Sequence, residues 1–355
     1  MKFRTNLVVA LAAASCLWAA SSAQAAGAYI TNGAITLGVN ELGALNVDGG
    51  TGTYPGTSVQ GVGTVGLRYN TTSAAGAPLS YASTEPGCLC EGWGAAVVST
   101  GVTGNQNMRL NGLTGSNLSL VSFASTASTA TSVVKVGNAL QITHAYKPSG
   151  VAGVYAVDVT VKNISGSAIA QGDLIYRRVM DWDIEPTSFD EYVTIAGVPA
   201  ALGIANGSNL YRTGDNGFAS ADPSNTNTTR SCPANANFTD CGPDDHGALF
   251  DFQFGAVAVD AELKFITYYG AANTETAALT ALGDVGAGIY SLGQSNGGEG
   301  TGSPVTFFFG FGGKAGVLDP TPPGGGGTVP EPGSLALAAL GLLGLVGVRR
   351  QRRKS

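Results

Sequence analysis

From Tyr155 to Lys162 the sequence reads Tyr-Ala-Val-Asp-Val-Thr-Val-Lys, an alternation of apolar and polar side chains that ends in the turn-forming stretch Asn163-Ile-Ser-Gly166. A period of two belongs to a strand with one face in a core and the other in water. The same kind of run recurs at 34–39, 62–69, 95–100, 116–123, 131–136, 140–146, 172–181, 191–195, 247–254, 262–269 and 304–310, with Gly, Asn, Ser and Thr between. Strands this short at this spacing predict an all-β fold, a β-sandwich built as one extended or two packed sandwiches. No repeat of the length that marks propellers or solenoids is visible. One segment departs from the pattern: Thr274 to Leu282 has helical composition, with Thr274 placed to cap it and Glu275 against the positive end of its dipole.

Composition narrows the function classes. Only 12% of residues are charged, the formal net charge is -6 and the hydrophobic share is 44%, which places the chain among folded proteins. An acidic chain with no basic stripe is a poor nucleic-acid binder. Two His residues leave little room for His-based catalysis or a multi-His metal centre.

The two ends read as targeting segments. Lys2 and Arg4 precede an apolar run from Leu7 to Ala20 and a small-residue cleavage site at Ala23-Gln24-Ala25, which predicts a signal peptide over residues 1–25. Near the C-terminus, a Pro- and Gly-rich linker over 316–332 leads to an apolar stretch from Ser334 to Val348 and then to Arg349, Arg350, Arg352, Arg353 and Lys354. At about 1.5 Å per residue that stretch is a marginal helical span, and the cations after it orient the tail toward the cytoplasm. The transmembrane helix and basic tail are assigned to 333–355 and the sandwich body to 26–315, with a subdivision near 140–150 as one option. Removing residues 1–25 takes away two of the 18 cations, and removing 329–355 takes away five more together with one of the 24 acids, Glu331. The body between them is left with 11 basic and 23 acidic residues and a net charge of -12.

The motif Val329-Pro330-Glu331-Pro332, the short Gly- and Leu-rich span and the Arg-rich end resemble the PEP-CTERM protein-sorting signal of Gram-negative bacteria. The resemblance implies signal peptidase and a membrane exosortase as processing partners, transient residence in the inner membrane and delivery to the cell surface or an extracellular polysaccharide matrix. The body also resembles a region of exported, PEP-CTERM-tailed proteins at Tyr176 to Pro186, Glu191 to Ile195 and Tyr268 to Ala272, a likeness that implies no activity.

Four features of the body bear on chemistry. Asp181, Asp183, Glu185, Asp190 and Glu191 form the densest acidic cluster, and Asp181 and Asp183 share a face if the strand continues through them. The cluster reads first as a salt-bridge set with Arg177 and Arg178; Asp181, Asp183 and Glu185 are alternatively candidate Ca²⁺ ligands, and after that an acid/base pair acting on sugar. Asp240, Asp244, Asp245 and His246 form a second polar group around Cys241-Gly-Pro243, in which a solvated or capping role for His246 competes with a ligand or base role. Cys88, Cys90, Cys232 and Cys241 are disulfide candidates in an exported chain, paired within each couple or across them, and a four-thiolate zinc site has the right count but the wrong spacings. Trp93, between Gly92 and Gly94, is a candidate exposed platform for sugar stacking, whereas the Phe307-Phe-Phe309 run reads as a buried terminal strand and His144 as structural. No nucleophile elbow, Walker loop or dinucleotide fingerprint is present. The expectation is a non-enzymatic surface or matrix protein with a structural or adhesive role and no cofactor other than Ca²⁺. A carbohydrate-active enzyme or a calcium-dependent glycan-binding module using Asp181 to Glu191 is the alternative.

Overall fold

The computed structural model describes residues 27–47, 65–112, 114–296, 302–314 and 316–318. The chain is mostly strand, and every pairing between its named strands is antiparallel. Strands β1 (Gly27–Thr31), β2 (Ile35–Asn40), β3 (Leu67–Thr72) and β4 (Pro78–Ala82) form a sheet in chain order. A five-stranded sheet has the spatial order β13 (Leu210–Gly214), β15 (Gly247–Gln253), β11 (Leu174–Asp181), β5 (Gly92–Val97) and β6 (Val102–Asn107). The largest sheet begins with β14 (Phe238–Asp244), β12 (Glu191–Ala196), β17 (Ala287–Gln294), β18 (Thr306–Lys314) and β16 (Glu262–Ala272). It continues through β10 (Val154–Asn163), β9 (Leu140–Pro148), β8 (Ala130–Val136) and β7 (Leu118–Ser125), with β19 (Val317–Leu318) added on β18. This last pairing carries the sheet into the segment that composition assigns to the linker.

The period-two reading holds in detail along β10, where Val157, Val159 and Val161 are buried and Asp158, Thr160 and Lys162 are half-exposed between them. Aromatic side chains from the two large sheets meet across one core, with ring centroids 5.1 Å apart for Tyr176 and Phe265, 5.4 Å for Phe250 and Phe309 and 4.6 Å for Phe252 and Phe311. The same apolar cluster includes Ile35 and Leu37 of the four-stranded sheet, so all three sheets share it. Two hydrogen bonds tie the turn after β2 to that core: Trp93 Nε1 donates to the Leu42 carbonyl at 2.9 Å, and Tyr146 Oη donates to the Gly43 carbonyl at 2.9 Å.

Helix α1 (Met108–Asn111) is a single turn, and α2 (Glu275–Asp284) is the helix that the composition of 274–282 predicts. Thr274 is extended at the N-cap, and its hydroxyl accepts from the Ala277 amide at 3.2 Å. Ala278, Ala281 and Leu282 then cover Tyr268 and Phe308 on the outer face of the ten-stranded sheet, where burying a side chain the size of Leu282 contributes about 1.5–3 kcal/mol.

Two expectations are corrected. The strand expected at 95–100 starts earlier, at Gly92, and gives way to a 3₁₀ turn at Val98–Thr100. Trp93 is no exposed platform: it is fully buried and stands 4.7 Å from the His144 ring, centroid to centroid. Phe307, Phe308 and Phe309 are buried as expected, on a strand near the end of the described chain that lies between β17 and β16. His144 is fully buried and pairs with Tyr176 Oη at 2.8 Å, and burial followed by the nearby Arg178 charge holds its imidazole well below the usual range.

Candidate functional site

Alternation along β11 sends its two arginines to opposite faces, because neighbouring strand residues point opposite ways. Arg178 faces the core. Its Nη2 lies 3.3 Å from Glu91 Oε1 and bonds Tyr269 Oη and Tyr146 Oη, while Glu91 Oε2 accepts the Leu45 amide at 2.6 Å. Arg177 faces the other way and is fully satisfied. Nε and Nη2 bind the two oxygens of Asp251 at 2.6 and 2.8 Å, and the guanidinium also donates to the Ser220, Asp222 and Asn225 carbonyls, each at 2.8 Å. Arg212 Nε adds a bond of 2.7 Å to Asp251. Arg177 therefore fastens the 215–231 loop over the outer face of the five-stranded sheet, and neither arginine serves the acidic cluster. The salt-bridge set expected between them and Asp181 to Glu191 does not form among the described residues.

Where β11 ends, Trp182 turns into the core, its Nε1 donating to Ser291 Oγ at 3.1 Å, so Asp181 and Asp183 stand together on the Arg177 side. Backbone bonds hold this stretch in place: Asp183 N to the Ser83 carbonyl at 2.8 Å, Glu185 N to the Ala82 carbonyl at 3.1 Å and Trp182 N to the His246 carbonyl at 3.3 Å. The β14–β15 turn brings Asp245 to the same place. One carboxylate oxygen from each of Asp181, Asp183 and Asp245 lies within 4.8 Å of the other two. Asp181 and Asp183 are each 1% exposed, and Asp245 is half-buried.

The other predicted cation ligand stands elsewhere. Glu185 is buried and accepts the Ala82 amide on Oε2 at 2.8 Å, while Glu191 holds the intervening turn by accepting the Ile184 and Phe189 amides on Oε1 at 2.8 and 2.7 Å. Burial pushes the Glu191 carboxyl up to about 9, the Phe189 amide opposing. Asp190 is exposed and accepts from Asn296 Nδ2 at 2.9 Å.

Asp181 and Asp183 are roofed by backbone. A Cβ on Gly87 would lie 2.0 Å from Asp183 Oδ2, and one on Gly217 would lie 2.3 Å from Asp181 Oδ1. Only glycine admits such an approach. Asp181 Oδ1, both oxygens of Asp183 and Asp245 Oδ1 are buried without a hydrogen-bond partner among the described residues. Cys88 Sγ lies 3.1 Å from Asp181 Oδ2, but a sulfur joined to Cys90 carries no proton to donate. Burial, and then the charges of the neighbouring aspartates, raise Asp181 and Asp183 well above the usual carboxylate range, and burial raises Asp245 against the pull of Arg230.

The second polar group divides. His246 is fully buried, against the solvated role expected of it, and its Nδ1 lies 3.3 Å from Asp215 Oδ2. Asp215 also accepts the backbone amides of Arg230, Ser231 and Cys232 at 2.7, 2.9 and 2.9 Å. Burial works against that charge, yet the His246 bond and the three amides hold the Asp215 carboxyl well below the usual range. Asp240 accepts from Thr194 Oγ1 at 3.4 Å, and Asp244 accepts from Ser231 Oγ at 3.0 Å. The cysteines pair within each couple, with sulfurs 1.89 Å apart for Cys88 and Cys90 and 2.07 Å for Cys232 and Cys241, so cross-pairing and a four-thiolate zinc site both fall away.

Three residues of the carboxylate site escaped the sequence reading. Asp245 was grouped with His246, its chain neighbour, and the roof at Gly87 and Gly217 carries no local signal at all. The leader at 1–25, the motif at Val329 to Pro332, the helix at 333–355 and its tail of Arg349, Arg350, Arg352, Arg353 and Lys354 lie outside the described residues. Among the described residues no helix is long and apolar enough to cross a membrane. No curated protein matches the chain in sequence. Residues 328–353 match the PEP-CTERM protein-sorting motif, and the chain is thereby an exported protein with the C-terminal signal that an exosortase processes at the membrane.

Proposed function

We propose that this chain is a non-enzymatic protein of the cell surface or the extracellular polysaccharide matrix, where its body, a sandwich of facing sheets, does structural or adhesive work. The observation that carries the proposal is the sorting motif at 328–353, since a processed tail frees the body from the inner membrane on its outer side. Two cysteine pairs at disulfide distance suit an oxidising location. The burial of Asp181, Asp183, Glu185 and Glu191 supports this role over sugar hydrolysis, because a glycosidase pair must flank an accessible bond. The test compares host cells with and without the exosortase. In its presence the chain reaches the surface or matrix fraction, its intact mass lacks the Arg-rich tail, and its deletion weakens cell cohesion. A surface-fraction mass that still includes the tail overturns the sorting step, and unchanged cohesion in the deletion strain overturns the structural role.

A further inference from the structure

We propose that Asp181, Asp183 and Asp245 form a binding site for a single divalent, oxygen-preferring cation, with Ca²⁺ as its natural occupant. The site does not depend on the surface role proposed above. Acidic clusters are common on protein surfaces, but this one is interior. Asp183 is 1% exposed, and neither of its oxygens accepts a well-formed hydrogen bond, the Cys88 amide giving only weak support, which is a costly arrangement for a carboxylate unless a counter-charge sits between it and its neighbours. Buried charges are normally paired or coordinate a metal, and among the described residues no Lys or Arg forms an ion pair with any of the three.

The geometry fits the ion. Calcium takes oxygens at about 2.3–2.6 Å, so two of its ligands are separated by at most about 5 Å. The three carboxylates meet that limit as they stand, with oxygens within 4.8 Å of one another. Each of the three has at least one oxygen free to serve as a ligand: Asp181 Oδ1, Asp183 Oδ1 and Oδ2, and Asp245 Oδ1 lack a well-formed hydrogen bond. The half-buried side of Asp245 is the route for the ion and for the waters that complete its shell. An all-oxygen set selects a hard cation, since the sulfurs of Cys88 and Cys90 are tied to each other and offer no thiolate. A dication leaves one excess negative charge. Arg109 and Arg230, stacked at 5.5 and 4.7 Å from the Phe218 ring, pull on the Asp181 carboxyl and offset that excess.

The glycine roof gives the site its selectivity for something small. The backbone at Gly87 and Gly217 lies so close over Asp183 and Asp181 that a sugar or phosphate has no room beside them, whereas the spacing of the three carboxylates is that of ligands around one ion.

The experiment is calorimetric titration of the purified full chain with CaCl₂ after treatment with chelator, followed by thermal melting with and without Ca²⁺. Saturable binding of a single equivalent and a rise in melting temperature are expected, with Mg²⁺ binding more weakly. Asp183→Asn weakens Ca²⁺ binding by at least roughly tenfold, the loss typical even of groups that only support a metal ligand, and removes the Ca²⁺-dependent rise in melting temperature. Asp284→Asn, at the exposed end of α2, keeps the original affinity. If Asp183→Asn fails to fold, Asp245→Asn on the half-exposed side gives the same readout. Absence of saturable Ca²⁺ binding, an unchanged affinity in the folded aspartate variant, or a preference for Zn²⁺ that appears only after reduction of the cysteines would each overturn the assignment.

Discussion

Two buried charge groups share one face of β11. At Arg177 every donor that the loop can engage is engaged, with five hydrogen bonds closing on Asp251 and three carbonyls. Four residues on, Asp181 and Asp183 are just as deeply buried, yet they keep oxygens without partners. The contrast separates a charge used as a structural clamp from charges held ready for something outside the polypeptide. Burial does not distinguish the two; completeness of the hydrogen bonding does.

That distinction breaks or sharpens under mutation. Asp251→Ala strands the buried Arg177 guanidinium together with Arg212, and the expected loss is about 3–5 kcal/mol in chemical denaturation. A result below 1 kcal/mol would show that the clamp is no clamp. Asp215→Asn tests a carboxylate satisfied mainly by backbone, and its removal costs about 2 kcal/mol near neutral pH. Because the folded state holds the Asp215 carboxyl below its unfolded range, the unfolded chain binds more protons across the interval between them. Its stabilisation is therefore complete above about pH 5 and lost as the pH falls through the folded value, so the variant has a flatter acid limb in a melting series. The smallest effect has the opposite sign. In chelator at pH 8, Asp183→Asn raises stability by about 1 kcal/mol, because an amide replaces a buried charge that has no partner. Destabilisation there comparable to that of Asp251→Ala would place Asp183 with the clamps.

How much of this was legible in the sequence depended on the range of the signal. Local periodicity located most long strands and the Thr274 cap, and it put Asp181 and Asp183 on one face. The same rule, applied to Arg177 and Arg178, separates them onto opposite faces and argues against a joint role with the acids. Glycine was hard to read. The strand β17 that follows α2 went unrecognised among its glycines, and the glycines around Trp93 suggested exposure when they signal close approach: a Cβ on Gly94 would lie 1.9 Å from the Ala221 carbonyl oxygen. Asp245 joined the site from the link between β14 and β15, strands of different sheets, a placement set by the sheet pairings and absent from any window around it.

The Glu91 bond inside the core has a consequence for the order of events after synthesis. Glu91 accepts from Tyr269 Oη at 2.5 Å across 178 residues, and it also receives the Leu45 amide from the turn that follows the first hairpin. The N-terminal sheet thus cannot complete its interior contacts until most of the body has emerged. Folds dominated by such distant partners close slowly, because loop entropy is spent before contacts reward it. For an exported chain such a delay is useful, because a polypeptide still awaiting its distal half remains threadable.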